Sequence, residues 1–360
     1  MLRVSFIKFS EHIHAVLRGF PFQLSSSINR HPRTVTQLPI TIYHSLLRVC
    51  LLHPSSFILH PFSSFFALII NPMLHLSTFS IAACDIKAQA WGIAVASKFP
   101  AVGAVVPWVR ANAGAVATQA FANPSFGPRG LEMMAGGLSA EETLSKLLMH
   151  DHEREQRQVS LVDAKGGSAI FTGTSCVEWA GGVHGAGYAI QGNILTGAEV
   201  INRMEHAYLE TKGELPERLF ATLEAGNRAG GDRRGKQSAA LYMAKPRGGY
   251  GGHNDRWMDY RVDDHLNPIP RLGELLELHH LYFDKSHKSE RVKLEGKLVK
   301  EIQKIMKGLG YYTPVNGEYD DATRQALDAF IGNENFEQRA DPKAGWIDGP
   351  VLDYLLKKFK

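Results

Sequence analysis

A threonine at position 78 begins the apolar run TFSIAACD, which follows a segment of different composition. A threonine that becomes the first residue of a chain carries a hydroxyl nucleophile and, on the same residue, an α-amine that can take its proton. The reference pKa of an α-amine is about 7.7–8.0, so much of it is unprotonated near neutral pH. Threonine is also a common strand former. The catalytic hypothesis for Thr78 therefore depends on its neighbours.

Lys98 is the first of these neighbours. Residues 78–84 and 90–97 read as two strands joined by a polar turn. Antiparallel pairing through a short turn brings the end of the second strand beside the start of the first. A lysine charge at that point would lower the pKa of the Thr78 hydroxyl. We expect Lys98 to lie beside Thr78, and the alternative is a solvated strand end.

Amide side chains end two other apolar runs. Gln119 closes the run 113–119, and Asn123 follows it. Gln191 and Asn193 flank a glycine, which permits close approach of the backbone. We expect Gln119, Asn123 and Gln191 to contact substrate, and Asn193 to complete an oxyanion hole. The alternative at both places is a turn.

Asp232 lies in a glycine-bracketed loop, GGDRRGKQSAAL, which leads into an apolar strand that starts near Ser238. Asp232 either forms an ion pair with Arg233 or Arg234 that shapes the loop, or leaves an arginine to recognise a substrate carboxylate. Both interpretations stay open. We place Asp232, Arg233 and Ser238 in the predicted substrate-binding set. The loop lacks the Gly-Lys-Ser/Thr ending of a phosphate loop.

This chemistry requires no metal and no organic cofactor, and we predict none. The His and Asp residues in GGYGGHND and VDDH follow no metal-ligand spacing. A glycine-rich hairpin and a helix start explain them. The three cysteines, Cys50, Cys84 and Cys176, are too few and too scattered for a disulfide framework or a zinc site. The Gly-X-Ser-X-Gly motif of a serine hydrolase is absent.

The order of elements predicts an α+β fold. Helix pairs separate groups of strand-like runs, and Ser139 with Glu142 forms a capping box at the start of one helix. Such an order favours antiparallel sheets with helices outside them. Two sheets face to face, covered by helices, would form a four-layer αββα sandwich. Its strands would be buried on both faces, as the small apolar residues of 92–96 and 114–117 indicate.

Residues 1–76 form a leader unlike the rest of the chain. Residues 1–72 contain six Lys or Arg and one acidic residue, so the net charge of +4 leaves about −1 for residues 73–360 and no excess for nucleic-acid binding. Prolines interrupt the apolar stretch before it reaches the ~20 residues of a membrane span. A start site upstream of the true Met73, a signal or anchor, and a propeptide all remain open. The sequence favours the cytoplasm, with the cell envelope as the alternative.

The tail is a separate domain in this interpretation. Residues 77–285 form the main domain, and 286–297 form a charged linker. Apolar residues at helical spacing then predict three helices within 298–360. This arrangement resembles the small three-helix peptidoglycan-binding-like domain. The alternative is a helical docking or dimerisation module.

The strings TFSIAACD, GIAVASKFPAVGAVVPWVRANAGAVATQAFANPSFGPRGLE, QGNIL, GGDRRGKQSAAL and RVDDHLNPI resemble the uncharacterised bacterial family labelled domain of unknown function 1028. That family is placed with the N-terminal-nucleophile (Ntn) hydrolases. The resemblance implies an αββα fold and amide cleavage or acyl transfer. It implies that Thr78 is the nucleophile, and Lys98 matches a motif position that some relatives fill differently. Because Thr78 follows Ser77, the amine is exposed only by a cut between them.

Two functions follow as hypotheses. The first is an Ntn amidohydrolase that acts on a small amide, with a tail that binds peptidoglycan. The second is a non-catalytic protein of the same fold that binds a small ligand and carries a helical docking domain. A homo-oligomer is compatible with either. The discriminating observation is the mature N-terminus, because only the enzyme must expose the Thr78 amine.

Overall fold

The computed structural model describes residues 78–284 and 287–359. The predictions for residues 1–76 lie outside this part. Ten strands precede the tail, with bounds β1 Thr78–Asp85, β2 Ala90–Ser97, β3 Pro107–Arg110, β4 Gly114–Ala120, β5 Arg157–Asp163, β6 Ser168–Thr172, β7 Gly181–Gly185, β8 Tyr188–Asn193, β9 Ser238–Ala244 and β10 Arg256–Val262.

These strands form two antiparallel sheets. One has six strands in the order β10-β9-β2-β1-β8-β7, and the other has four in the order β3-β4-β5-β6. The hairpin predicted from residues 78–97 is confirmed, with Thr78 opposite Ser97 in the register of β1 and β2. The short strands β3 and β7 were not predicted. Their polar residues and glycines obscure the alternation of apolar and polar positions by which a strand is recognised in a sequence.

Five helices accompany the sheets, with bounds α1 Phe126–Ala135, α2 Ala140–Met149, α3 Glu199–Glu210, α4 Leu215–Arg228 and α5 Pro268–Phe283. The predicted capping box of α2 is confirmed, since Ser139 accepts a hydrogen bond from the Glu142 backbone and the Glu142 side chain returns one to Ser139. Prolines at the first positions of α4 and α5 suit a helix start, where no backbone donor is needed.

Three apolar clusters hold these elements together. The first joins the six-stranded sheet to α3, α4 and α5 through residues such as Phe79, Met204 and Leu272. The second lies between the two sheets and is built mostly from small residues, including Ala82 and Ala117. The third joins the four-stranded sheet to α1 and α2. Strands β1, β2, β4 and β5 are thus buried on both faces, which explains their continuous apolar character.

The tail contains three helices, α6 Lys297–Gly308, α7 Asp321–Asn333 and α8 Gly349–Phe359, so the described chain has eight α-helices in all. It also contains a small antiparallel sheet of β11 Arg291–Lys293, β12 Ala340–Asp341 and β13 Trp346–Asp348. Part of the segment expected as a linker is therefore a strand of the tail. Three-residue strands are too short to show alternation in a sequence.

The tail contacts the end of α5. Tyr282 stacks on Phe336 with a centroid distance of 4.6 Å. The buried Arg339 side chain reaches the backbone carbonyls of residues 280, 281 and 284. None of the helices in the described ranges has the length and apolar character needed to cross a membrane.

A histidine near the end of α5 lies between two carboxylates. His280 Nε2 is 2.8 Å from Glu217 Oε1, and its Nδ1 is 3.0 Å from Asp284 Oδ2. Carboxylates only accept hydrogen bonds, so both contacts are satisfied when the ring is doubly protonated. The hydrogen bond with Glu217 raises the pKa of His280 above its usual value, although partial burial opposes this.

Candidate active site

Thr78 occupies the end of a central strand of the six-stranded sheet. In the register, it lies opposite Ser97 of β2 on one side and Asn193 of β8 on the other. Its Oγ1 lies 3.4 Å from Ser97 Oγ, and the residue is buried. Sheet pairing on both sides therefore fixes the backbone of Thr78 and places it directly beside Asn193.

The side chain of Thr78 belongs to the strand face that points toward the second sheet. Side chains alternate along a strand, and Ala82 and Cys84 of β1 lie in the cluster between the sheets. The same alternation places a group of buried polar residues on this face at the Thr78 end: Thr78, Ser80, Ser97, Gln119, Gln158, Ser160, Gln191 and Asn193. The space between the sheets is thus apolar at one end and polar at the end that holds Thr78.

Three amides, Gln119, Gln158 and Asn193, form a buried amide network. Gln119 Nε2 donates to Thr78 O at 3.1 Å and to Gln158 Oε1 at 2.8 Å. Asn193 Nδ2 donates to the same Gln158 oxygen at 3.0 Å. Ser80 Oγ donates to Gln119 Oε1 at 2.7 Å. The network links the two sheets directly at the position of the candidate nucleophile.

The backbone is strained beside two members of the network. Ala120, which follows Gln119, has a φ of 64°, and Ile194, which follows Asn193, has a φ of 50°. A left-handed conformation is an outlier for a β-branched residue such as Ile194. Strain of this kind clusters at functional sites, where the surrounding structure holds it.

Gly192 occupies the position between Gln191 and Asn193, as the predicted close approach requires. A Cβ atom on this residue would lie 2.5 Å from Leu195 Cδ1, closer than real Cβ contacts allow. Its carbonyl oxygen accepts a hydrogen bond from Gln158 Nε2 at 2.8 Å. The glycine therefore lets the end of β8 pack tightly while it contacts the opposite sheet.

Lys98 lies next to Ser97, but its side chain is exposed. Its Nζ is 3.4 Å from the backbone oxygen of Lys236. Its backbone nitrogen donates to Asp232 Oδ2 at 2.8 Å. The structure thus places the Lys98 backbone near the site and its ammonium group on the surface, beside the 230–237 loop.

Asp232 forms the ion pair that shapes this loop. Its buried carboxylate contacts Arg234 Nη2 at 3.2 Å and accepts from the Arg234 backbone at 2.9 Å. The Arg233 side chain is exposed, while its backbone nitrogen donates to Ile194 O at 3.1 Å. Of the two interpretations given to this string, the structure shows the ion pair, between Asp232 and Arg234.

The other predicted residues lie at three different places. Gln191 is buried on the inter-sheet face, where its Nε2 donates to Ala117 O at 3.1 Å and its Oε1 has no hydrogen-bond partner among the described residues. Ser238 is buried and accepts from Val102 N at 3.1 Å. Asn123 is half-buried and accepts from Ser125 Oγ at 2.7 Å, so it stabilises a turn.

The cysteines in the described residues are unsuited to be nucleophiles. Burial raises the pKa of Cys84 to about 12, with the charges of Asp163 and Asp85 adding to the effect. Burial also raises the pKa of Cys176. Thiolates are the reactive form of cysteine, so neither thiol is activated. No group of His, Cys, Asp or Glu side chains suited to a metal ion occurs in the described part of the chain.

Sequence reasoning missed three residues of the site: Ser80, Ser97 and Gln158. A signal for Gln158 was present in the residue pattern of its strand. In β5, Gln158 and Ser160 alternate with Val159 and Leu161, which pack in the cluster facing α1 and α2. Alternating polar residues in a strand buried on both faces indicate a polar space on one side.

Two family models match separate parts of the chain. The model of the family of unknown function DUF1028 matches residues 78–272. A second model, "Putative peptidoglycan binding domain", matches residues 282–355. The chain is similar to the crystal structure of protein SPO2555 from Silicibacter pomeroyi, a DUF1028 protein, with 30% identity, a TM-score of 0.52 and coverage of 57% of this chain and 86% of that chain. No curated protein matches the sequence.

Proposed function

The chain belongs to the DUF1028 family, whose function is unknown, and we propose that it is an Ntn amidohydrolase or acyl-transfer enzyme that acts on a small amide. In this proposal the two sheets and their helices form a four-layer αββα sandwich of the Ntn type. Residues 77–285 form the enzyme and the tail a separate domain.

The observation that carries the proposal is that the side chains found beside Thr78 in the described residues, those of Ser97, Gln119 and Asn193, are uncharged. Its hydroxyl lies beside Ser97, and its carbonyl is held by the amide network of Gln119, Gln158 and Asn193. Hydroxyl and amide side chains can donate hydrogen bonds to a developing oxyanion, but they are not general bases near neutral pH. We therefore assign the role of base to Thr78 itself, since its own α-amine fits this role once the bond to Ser77 is cut.

The proposed reaction has two steps. The Thr78 Oγ attacks the carbonyl carbon of the amide, while the α-amine takes the hydroxyl proton. Asn193 stabilises the negative oxygen, and the α-ammonium returns the proton to the leaving amine as the carbon–nitrogen bond breaks. Water, deprotonated by the same amine, then hydrolyses the ester on Thr78 and frees the hydroxyl.

We propose that the substrate is bound near Thr78, by residues of the space between the two sheets and of the neighbouring 230–237 loop. The unpartnered Gln191 Oε1 can accept from an amide N–H. The proposed charge effect of Lys98 requires its Nζ to leave the Lys236 carbonyl and turn toward Thr78. Arg233 is exposed near the site and is free to reach an acidic group on a substrate.

The tail is proposed to bind peptidoglycan, because it matches the model of a putative peptidoglycan binding domain.

The exposed position of the Lys98 side chain favours a second candidate function, a protein that binds a small ligand without cleaving it. In this case the amide network would hold a polar ligand between the sheets, and the tail would dock the protein to cell wall or to a partner. Processing at Ser77 would then be unnecessary.

The test compares the full-length protein with Thr78→Ala and Thr78→Ser, using p-nitrophenyl acetate and a panel of p-nitroanilides. Loss of the nucleophile should lower turnover by several orders of magnitude. Thr78→Ser should keep part of the activity, because it keeps the hydroxyl. Circular dichroism confirms that the variants are folded. Equal turnover by wild type and Thr78→Ala would exclude the proposed nucleophile.

A further inference from the structure

Gln158 has the largest number of hydrogen-bond partners among the three network amides. It lies directly opposite Gln119 of β4 and Thr172 of β6 in the register of β5. Three acceptors surround its Nε2: Gly192 O at 2.8 Å, Thr172 Oγ1 at 3.0 Å and Gly181 O at 3.2 Å. Its Oε1 accepts from Gln119 and Asn193. Gln158 thus connects its own sheet to the end of β8 in the other sheet.

These partners fix the orientation of the Gln158 amide. The backbone carbonyls of Gly192 and Gly181 only accept hydrogen bonds, so Gln158 must present its nitrogen to them. The oxygen of the same amide then faces Gln119 and Asn193. Both of these residues must in turn present a nitrogen to Gln158 Oε1.

The orientation passes from Gln158 to the candidate nucleophile. With its nitrogen toward Gln158, Gln119 has a second N–H directed at Thr78 O at 3.1 Å, and its Oε1 accepts from Ser80. Asn193, opposite Thr78 in the register, is fixed by the same oxygen. A rotation of the Gln158 amide by half a turn would place its oxygen against the carbonyls of Gly192 and Gly181, and its nitrogen against the nitrogens of Gln119 and Asn193.

We propose that Gln158 is the positioning residue of this site, and that it acts by setting the amide orientations of Gln119 and Asn193, which hold the Thr78 backbone and the proposed oxyanion position. The assignment rests on the proposed function. Gln158 does not contact substrate in this role. It works through Gln119, which anchors the carbonyl of the residue that carries both the hydroxyl and the α-amine.

The two ends of the side chain show why this residue is a glutamine. A glutamate at position 158 would direct carboxylate oxygens at the carbonyls of Gly192 and Gly181, and would bury a charge. An apolar residue would remove a hydrogen bond from five polar partners. An amide supplies both a donor and an acceptor from one side chain, and each end contacts residues of both sheets.

The experiment compares Gln158→Met with Ser160→Ala in the full-length chain. Methionine keeps the length of the side chain and removes both polar ends. Ser160 lies two residues further along β5 on the same face, and its Oγ has no hydrogen-bond partner among the described residues. The Ser160→Ala variant therefore controls for the loss of a polar group on the same face of β5. The readout is p-nitrophenyl acetate turnover above the Thr78→Ala background, per molecule that begins at Thr78 by intact mass.

Gln158→Met should lower kcat about 100-fold with KM nearly unchanged, because a misplaced reacting group loses rate and not affinity. Ser160→Ala should leave both constants unchanged. A kcat for Gln158→Met close to that of wild type, while Thr78→Ala is inactive, would overturn the positioning role and leave the proposed function intact.

A second measurement does not need activity. Hydrogen exchange of side-chain amides, followed by NMR with 15N-labelled Gln and Asn, should show protection at Gln119, Gln158 and Asn193 in the wild type. Protection at Gln119 and Asn193 should be lost in Gln158→Met and kept in Ser160→Ala. If wild type and Thr78→Ala turn over the ester equally, the proposed function fails and this exchange pattern alone decides the inference. Free exchange of the three amides in the folded wild type overturns it, even if Gln158→Met does not fold.

Discussion

Replacing Arg339 by methionine removes a buried ion pair within the tail, together with the hydrogen bonds of its guanidinium group to the end of α5. Arg339 Nε lies 2.6 Å from Asp348 Oδ2, and the exposed side-chain fractions are 5% and 0%. Arg339 Nη1 also lies within 3.0 Å of the carbonyl oxygens of His280, Leu281 and Asp284. These carbonyls are at the end of α5, where a helix leaves its last carbonyls without intrahelical partners.

The expected loss is about 3–5 kcal/mol of unfolding free energy, because removing one member of a buried ion pair leaves the other charge uncompensated. Methionine keeps most of the apolar stem, so the loss reports mainly on the guanidinium group. Urea unfolding of the full-length chain, followed by circular dichroism, measures the change. Adding Asp348→Asn to Arg339→Met should recover part of the loss, since no buried charge then remains.

Arg324→Met is the matched control. Arg324 pairs with Asp321 on α7, and the exposed side-chain fractions are 45% and 78%. An exposed pair of this kind contributes about 0–1 kcal/mol. Equal losses for Arg339→Met and Arg324→Met would refute the reasoning, because the buried pair would then contribute no more than a surface pair.

The remaining predictions concern pH, charge and the tail. The raised pKa of His280 adds stability that is fully present below its unfolded value of 6.5 and is lost as pH rises through the folded value. The lowered pKa of Glu217 adds stability above 4.5 that is lost as pH falls. His280→Gln should therefore lower the free energy of unfolding by about 0.5–1 kcal/mol near pH ~6 and by little near pH ~9, and the effect is small because the groups are partly exposed. Urea unfolding at both pH values measures the change. Equal losses at the two pH values would be evidence against the ion pair. Lys98→Ala should change ester turnover less than about fivefold if its ammonium group stays on the surface, and a much larger loss would show that the side chain turns toward Thr78 during catalysis. Removing residues 290–360 should leave ester turnover nearly unchanged and abolish sedimentation with purified peptidoglycan. Equal sedimentation of the two forms would contradict the peptidoglycan proposal, and aggregation of the shorter form would show that the tail belongs to the main fold.

Local patterns in the sequence predicted the elements of the fold well. The apolar runs and the polar turn at 85–89 predicted the β1–β2 hairpin, and Ser139 with Glu142 predicted the start of α2. These features depend on residues close together in the chain. The short strands of the tail were missed because their pairing with each other, and not their composition, makes them strands.

The candidate site was predictable only in part, for a physical reason. Thr78, Gln119 and Asn193 were visible as polar residues at the ends of apolar runs. Gln158 joins them through contacts within and between the two sheets, and its partners Gln119, Gly192 and Asn193 lie 34 to 39 positions away in the chain. The direction of the Lys98 side chain also depends on the neighbouring 230–237 loop. No local pattern carries such information.

The N-terminus of the active protein tests the central claim most directly. The protein is expressed once from Met1 and once from Met73. Each preparation is analysed by intact mass together with ester turnover. We predict that the active molecules begin at Thr78, because only then is its α-amine available as the base. Active protein that still carries Ser77 bonded to Thr78 would contradict it.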